Sequence, residues 1–184
     1  MVSLVSTQKR FEIPLQVIEG GSGTFRGVLS EAEQNSQPSF VFANPRKVLR
    51  VPDRSLIRTG MVIQTPHGEK LLVGENGPSE SSRGTLWLSF RMFLVTRQVK
   101  WERRTFTTDP VTQRPRDSGT ALIGTPWTVV EPLDREANDS KLRHSFEQVR
   151  FVTGAQILAD DLIDGHPVTK ADDQLGLRVG FYTA

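Results

Sequence analysis

The sequence predicts a mainly β protein, a small β-barrel or sandwich with long loops and at most minor helix. Short segments that alternate apolar and polar residues recur along the 184 residues, and this period-two pattern is typical of half-buried strands. Fifteen glycines and eleven prolines punctuate these segments, and both residues favour turns over regular structure. Many short strands joined by Gly/Pro turns indicate a barrel or a sandwich rather than a helical bundle.

The first predicted strand covers residues 11–17, where apolar and polar side chains alternate. Pro14 restricts this strand to a sheet edge or a bulge, because proline cannot donate a hydrogen bond to the ladder. The glycines at 20–23 predict a flexible turn into the next strand. Further along we predict a strand at 24–29, a polar loop at 30–38, and strands at 40–42 and 47–51.

The clearest hairpin signal lies around Pro66-His67-Gly68, between MVIQT and EKLLV. Proline suits the first central position of a tight turn, and Gly68 tolerates the left-handed backbone conformation that follows it. We therefore predict two adjacent antiparallel strands here.

The stretch from Gly84 to Phe106 is the segment around which we expect the chain to be organised. Its apolar residues occupy even positions as far as Leu94 and odd positions from there on, and one flat strand cannot bury both sets. Either a bulge lies near residues 94–96, or a long strand serves two surfaces, with Val99 and Trp101 exposed for a partner. A helix is the alternative, since some apolar residues recur at i, i+4, but the β-branched and aromatic content favours a strand.

The rest of the chain predicts strands and loops within a single β-rich domain covering residues 1–184. The segment 107–119 has two prolines and little apolar content, so we expect a projecting loop. The segment 134–163 is charged at first and then ambiguous between helix and bent strand, which suggests a smaller helical or irregular appendage. Strands are predicted at 121–130 and 175–182.

Charge is distributed unevenly along the chain. Residues 83–116 carry eight Lys/Arg against two Asp/Glu, a balance of +6, whereas residues 117–184 carry six against eleven, a balance of −5. This asymmetry suggests a polyanionic partner, contacts of opposite sign between subunits, or solvated faces of one domain. No cysteine is present, which excludes disulfides and Cys-type zinc sites, and no apolar run is long enough to cross a bilayer.

Two sets of residues are candidate contacts to a neighbouring subunit or to DNA. The basic set interleaves with aromatic residues, a composition that binds phosphates and stacks on bases, or that covers the outer face of a strand. The acidic set lacks the D-x-D-x-D-G spacing of a calcium loop. The basic set is Arg97, Lys100, Trp101, Arg103, Arg104, Arg114 and Arg116, and the acidic set is Asp160, Asp161 and Asp164.

The sequence does not predict an enzyme. Its three histidines are far apart, with none of the H-x-H or H-E-x-x-H spacings that bring two ligands to one face. The GGSG at residues 20–23 precedes a β pattern rather than a helix, so it does not suggest a phosphate-binding loop. No serine has a nucleophile-elbow context. We expect no catalytic residue, no metal and no cofactor.

A glycine, apolar strand residues, a tight turn and a strand ending in valine follow one another from Thr59 to Gly77, TGMVIQTPHGEKLLVGENG. This segment resembles the head-tail joining proteins of tailed bacteriophages, the small neck, stopper or connector proteins. Met61 replaces the usual acidic residue, and Leu71 the usual aromatic one. The resemblance implies a small β-barrel that forms a ring beneath the portal. The matching residues are Gly60, Val62, Ile63, Gly68, Leu72 and Val73.

The leading hypothesis is therefore a structural subunit of a tailed-phage virion, a head-tail connector or neck ring protein joining the capsid portal to the tail. Its partners would be copies of itself in the ring, portal or adaptor proteins and tail proteins, with possible non-specific contact to packaged DNA and none to a membrane. It would be made in the host cytoplasm and reside in the virion. The alternative is an OB-like single-stranded nucleic-acid-binding protein that uses the basic set, with Trp101 stacking on a base. A hydrolase with an unrecognised carboxylate pair is a third hypothesis.

Overall fold

The computed structural model describes residues 12–31, 47–52, 56–77, 79–82, 85–132 and 148–183. In these ranges the chain forms 15 strands and no helix, which confirms the predicted fold class. No described segment is a helix of the length and apolarity that a membrane span requires. The strands of the first sheet are β1 (Ile13–Glu19), β2 (Thr24–Glu31), β3 (Lys47–Pro52), β4 (Val62–Gln64), β5 (Lys70–Asn76), β6 (Glu80–Ser82) and β7 (Thr85–Leu94). The strands of the second sheet are β8 (Arg97–Gln98), β9 (Trp101–Thr108), β10 (Pro115–Gly124), β11 (Trp127–Pro132), β12 (Gln148–Thr153), β13 (Leu162–Ile163), β14 (His166–Gln174) and β15 (Leu177–Thr183).

Six strands of the first sheet close into a barrel. Their order is β3-β2-β1-β4-β5-β7, with β6 beyond β7, and β3 also pairs with β7 so that the sheet closes on itself. The closing register places Leu49 opposite Phe90. A barrel this narrow has room only for side chains inside it. The buried cluster comprises Leu15, Leu49, Val51, Ile57, Ile63, Leu71, Val73, Phe90 and Met92.

Strand β1 has two neighbours, β2 and β4, so it is not an edge strand, and its pairing with β4 contains the register shift of a bulge between Val17 and Glu19. Pro14 is accommodated because the pairing with β4 begins only at Gln16. At Pro14 itself the described strands provide one partner, β2, through Arg26. The missing N–H of the proline therefore interrupts no ladder on its other side.

The predicted hairpin at Pro66-His67-Gly68 is confirmed, since β4 and β5 pair antiparallel across it. The Gly68 N–H donates to the Thr65 carbonyl at 2.9 Å, and the Thr65 N–H donates to the Glu69 carbonyl at 2.9 Å. Gly68 has a φ of 83°, a left-handed conformation that glycine adopts without steric cost. The segment from Thr59 to Gly77 thus supplies two neighbouring strands of the barrel.

The second sheet packs against the outside of the barrel, in the order β10-β9-β13-β14-β15-β12-β11-β8. Successive residues Phe151 and Val152 point to opposite faces, and both are buried. Strand β12 is therefore buried on both faces at these positions. One cluster joins the outer face of the barrel to the sheet and comprises Val62, Leu72, Phe93, Val95, Val129, Val152, Leu177 and Val179. The cluster on the other face comprises Val99, Phe151, Ile157, Ile163, Val168 and Tyr182.

The stretch from Gly84 to Phe106 connects these clusters, and its change of parity marks the passage from one sheet to the other. Phe90 lies in the barrel, Phe93 lies between barrel and sheet, and Val99 lies beneath the second sheet. The stretch forms three strands, β7, β8 and β9, rather than a helix or one long strand. The prediction that Val99 is exposed for a partner is wrong, because only 1% of it is accessible. Residues of both parities, Phe90 on one side and Phe93 and Val99 on the other, thus pack within the same chain.

Two predicted irregular segments contain strands. In the predicted loop 107–119, the flanks 107–108 and 115–119 belong to β9 and β10, and only 109–114 form a turn. In the predicted appendage 134–163, β12 lies inside the second sheet between β15 and β11, so this part is neither helical nor separate. Residues 134–147, the predicted strand 40–42 and most of the predicted loop 30–38 lie outside the described residues.

Candidate functional site

Strands β9 and β10 form a hairpin that extends beyond the rest of the second sheet, and we call residues 101–124 the arm. β10 is the outermost strand of that sheet. On its other edge β9 pairs with β13 only at Trp101 and Glu102. From Arg103 to Thr108, β10 is therefore the one partner of β9 among the described strands. Most of the arm is a two-stranded ribbon, and such a ribbon is at best marginally stable in water on its own.

A buried carboxylate anchors the base of the arm. Asp161 is only 3% exposed, and its two oxygens accept hydrogen bonds from Arg103 Nε at 2.7 Å and Arg103 Nη2 at 2.9 Å. One of them also accepts from Trp101 Nε1 at 2.8 Å and from the Leu158 N–H at 2.9 Å. A forked guanidinium–carboxylate pair of this kind is both strong and directional. It fixes β9 to the loop that precedes β13.

The protonation of Asp161 reflects this environment. Burial by itself raises the pKa of the carboxyl group, but the hydrogen bonds from Arg103, Leu158 and Trp101 and the charge of Arg103 outweigh burial and leave the pKa below its usual value. The same contact raises the pKa of Arg103. Both groups are therefore charged at neutral pH, and the pair remains ionic.

A second carboxylate lies beside the first in the chain and ties β8 to the same region. Asp164 accepts a hydrogen bond from Arg97 Nη1 and one from the Lys100 N–H at 2.7 Å. Arg97 Nη2 also donates to the Tyr182 hydroxyl at 3.1 Å. The Lys100 ammonium lies 2.9 Å from Glu102. Burial lowers the pKa of Arg97, yet the contacts with Asp164 and Tyr182 raise it further than burial lowers it.

These contacts change the interpretation of the uneven charge. One of the three expectations was that the basic middle of the chain and the acidic C-terminal part meet between subunits, but Arg103 meets Asp161 and Arg97 meets Asp164 within one chain. The sheet topology is the cause. Because β13 pairs with β9, the acidic residues that flank β13 lie beside the basic residues of β8 and β9. Arg97, Lys100, Trp101, Arg103, Asp161 and Asp164 therefore stabilise the base of the arm.

The other four candidate residues have different positions. Arg104, Arg114, Arg116 and Asp160 are exposed, and three of them belong to the arm. Arg104 lies on β9, and Arg114 and Arg116 lie where the tip meets β10. These three arginines remain available to a neighbouring molecule.

The tip of the arm is ordered by its own hydrogen bonds. The Asp109 carboxylate accepts from the Val111 N–H at 2.8 Å and the Thr112 N–H at 3.0 Å, which lower its pKa. The Asp109 N–H donates to the Arg114 carbonyl at 2.9 Å, and the Gln113 N–H donates to the Asp109 carbonyl at 2.8 Å. The tip therefore does not need contact with a partner in order to be ordered.

The arm also exposes large apolar side chains, which the sequence interpretation missed. Phe106 is 62% exposed, Val111 88%, Leu122 59% and Ile123 46%. Among the large hydrophobic residues of the described chain, four of the nine most exposed thus belong to the arm. The signal was present in the alternate positions of β9, where Arg103, Thr105 and Thr107 offer no apolar face to a core. A strand that is polar on one side and carries a lone phenylalanine on the other has little to bury within its own fold.

A second feature, also missed, joins the barrel to the sheet. Glu19 of β1 accepts a hydrogen bond from the Trp127 N–H at 2.9 Å, and Lys70 of β5 lies 4.5 Å from the centre of the Trp127 ring. The carboxyl group is half-buried, and burial raises its pKa while the bond from Trp127 partly lowers it again. Both barrel residues thus hold the first residue of β11.

No family model, no curated protein and no solved structure matches this chain. In the part of the chain that the structure describes, no group of three or more His, Asp or Glu side chains is arranged to hold a metal ion. A shallow groove lies beside the glycine turn at 21–23, lined by Phe25, Ile57 and Met61, but it gathers no set of reactive groups. The arm is therefore the candidate site.

Proposed function

We propose that the protein is a non-enzymatic structural subunit of a tailed-phage virion, a head-tail connector or neck protein that works as a homo-oligomeric ring. The arm is the observation that carries this proposal. It combines exposed Phe106 and Leu122 with the exposed cations Arg104, Arg114 and Arg116. Interfaces between proteins are enriched in aromatic side chains and arginine.

The anchoring of the arm supports an assembly role. The Asp161 pair holds the base of the arm to the body of the protein, while the ribbon beyond it extends into solvent. A ring needs two complementary surfaces on each subunit, and a rigidly anchored arm can reach across to the next copy. The partners we propose beyond the ring are the portal or adaptor proteins and the tail proteins.

The segment with the resemblance supports the connector assignment. Residues Thr59 to Gly77 form adjacent barrel strands around a tight turn, as the resemblance implies for a neck protein. The barrel interior contains the buried side chains of the first cluster. Such a body suits a structural role and the virion as its location.

The nucleic-acid-binding alternative is less well supported. It requires Trp101 to stack on a base, but the Arg103 guanidinium lies over the indole ring, 5.6 Å from its centre, and the ring also packs against the cluster of the second sheet. It also requires Arg97 and Arg103 on phosphates, and both guanidinium groups are engaged by carboxylates. Of the β8–β9 residues assigned to binding, Arg104 alone is exposed without a described ionic partner.

The test is to replace Arg114 and Arg116 together with serine in the phage that encodes the protein. We expect the isolated subunit to keep its melting temperature, since both side chains are exposed and surface substitutions change stability little. We expect purified particles to have weakened or absent head-tail junctions in electron micrographs and reduced infectivity. Mass measurement of the particles should also show the wild-type protein in a discrete copy number.

The matched control replaces Arg26 and Lys170 with serine, since these exposed cations lie off the arm. This variant should assemble like the wild type. Normal junctions in the arm variant would show that its arginines are only solvated. A protein that remains outside the virion fraction would contradict the connector assignment itself.

A further inference from the structure

The two edges of the arm differ in how well they are protected from pairing with another strand. The outer strand β10 is interrupted by two register shifts, between Asp117 and Gly119 and between Leu122 and Gly124, and it begins with Pro115. Bulges, proline and charge are the usual devices that prevent an edge strand from pairing. The β10 edge is therefore protected from pairing with a further strand.

The opposite edge, formed by β9, has neither a bulge nor a proline. Both register shifts fall on β10, so β9 continues without interruption from Trp101 to Thr108. Its outer part, Arg104-Thr105-Phe106-Thr107-Thr108, consists mostly of β-branched and aromatic residues, which favour strands. This edge combines high strand propensity with backbone groups that no described strand pairs.

The length of the open edge is set by β13. Leu162 lies opposite Glu102, so the preceding residue, Asp161, follows the edge as far as Arg103 and binds its side chain. The open edge therefore begins at Arg104 and ends at Thr108, where the tip starts. Five consecutive residues along this edge therefore have no partner strand among the described residues.

We propose that this edge pairs antiparallel with the same five residues of a second copy, across a two-fold axis perpendicular to the ribbon. Such an axis keeps each face of the ribbon on its own side, so residues of equal parity must lie opposite one another. Centring the pairing on the open edge places Phe106 opposite Phe106 of the second copy. Thr105 then faces Thr107 of the other chain, and Arg104 faces Thr108.

This register is favourable in charge and in packing. No like charges face each other, because Arg104 meets a threonine and Arg103 is neutralised by Asp161. Phe106 is 62% exposed in the single chain, and an aromatic pair directly opposite across two strands is a stabilising contact. Pairing turns two two-stranded ribbons into one four-stranded sheet, which stabilises both arms.

The inference goes beyond the proposed ring and is separable from it. A two-fold contact closes on itself and cannot propagate around a ring. The pairing therefore describes the free subunit, in which it covers the open edge, and the arm exchanges this partner when the ring forms. Incorporation into virions tests the proposed function, whereas the mass of the purified protein tests the pairing.

The first experiment is light scattering on the purified full-length chain over a range of concentrations. We expect a species of twice the 20.6 kDa chain mass. Phe106→Arg places two cations opposite each other at the axis and should return the protein to monomer. Leu122→Arg, at an equally exposed position of the same hairpin but on the protected strand β10, should remain dimeric. A monomeric wild type, a dimeric Phe106→Arg variant or equal dissociation by both substitutions would overturn the pairing.

Cross-linking gives a second, independent readout, because the natural chain has no cysteine. A single Phe106→Cys substitution should give a disulfide-linked dimer on mild oxidation, since only a two-fold axis near residue 106 brings one position close to itself. Val111→Cys, at the more exposed tip, is the control and should cross-link at least ten-fold more slowly. Equal cross-linking of both variants, or faster cross-linking at 111, would contradict the proposed register.

Discussion

The barrel and the arm both consist of antiparallel strands, but the sheet of the barrel is closed whereas the arm has an open strand edge. In the barrel, β3 pairs with β7 and the sheet has no open edge along its six closing strands. In the arm, β9 runs past its last neighbour at Glu102 and continues as part of a ribbon. Two phenylalanines show the consequence for single side chains. Phe90 of the barrel is 4% exposed, whereas Phe106 of the arm is 62% exposed.

This comparison separates residues that hold the fold from residues that are free to contact another molecule. Closure removes edges and buries alternate side chains, so the barrel has little left to offer a partner. The arm keeps its base in the fold through Asp161, and beyond Arg103 the edge of β9 away from β10 has no partner strand among the described residues. Substitutions should therefore reduce stability in the barrel and at the base of the arm, and should affect association at its outer part.

The largest expected effect is that of Phe90→Ala. Removal of a buried aromatic side chain from a core costs about 3–5 kcal/mol in the free energy of unfolding. Phe106→Ala, the matched change in the arm, should cost less than about 0.5 kcal/mol, because its ring is mostly solvated. Urea denaturation at concentrations where the chain is monomeric measures both. Losses of similar size would show that Phe106 packs into a core.

The next effect is that of Asp161→Ala at the base of the arm. It leaves the Trp101 and Leu158 N–H groups without their acceptor and should cost about 1–3 kcal/mol. Arg103 limits the loss, because its side chain is 40% exposed and can be hydrated. Asp172→Ala, which breaks a surface pair with Lys170, should cost at most about 1 kcal/mol. If the two variants unfold at the same denaturant concentration, Asp161 does not anchor the arm.

Acid should weaken the same anchor. The pKa of Asp161 is lower in the folded protein than its usual value, so its contribution is complete above the unfolded pKa of about 3.9. It disappears as the pH falls through the folded pKa. The stability difference between wild type and Asp161→Asn should therefore be constant from pH 7 to about pH 5 and narrow below about pH 4. Denaturation curves across this range measure it, and a difference that grows towards low pH would contradict the assignment.

The smallest effect concerns the joint between barrel and sheet. Burial raises the pKa of Glu19, so folding favours the protonated form of this carboxyl group relative to the unfolded chain. Its contribution to stability is therefore greatest below about pH 4.5 and declines as the pH rises through the folded pKa. Glu19→Gln keeps an acceptor for the Trp127 N–H and removes the charge. It should match or exceed wild-type stability at pH 7, by at most about 1 kcal/mol, and equal it at low pH. A clear loss at pH 7 would show that the charge itself is needed, for example towards Lys70.

Local sequence patterns predicted the fold class and the hairpin, and only part of the candidate site. Pro66 and Gly68 specify a tight turn through their own backbone preferences, so the hairpin needed no tertiary information. The segment 107–119 was predicted as a projecting loop. Its two prolines and its charged residues Arg114 and Arg116 do not give a strand pattern, and β10 forms here because it pairs with β9. Phe106 was missed because exposure depends on where neighbouring strands end, and a sequence pattern does not contain that information.

The sequence by itself determined that the chain forms strands, where its tight turns lie and that its parity changes near Leu94, because these features follow from backbone preference and from the period of side chains along a strand. Only the tertiary structure decided where the apolar residues before and after Leu94 are buried, and which charged residues contact each other. Arg103 and Asp161 are 58 residues apart, and their contact exists because β13 pairs with β9. Pairing between distant strands is set by the global arrangement of sheets, so the residues that appeared free to bind a partner became the anchor of the arm.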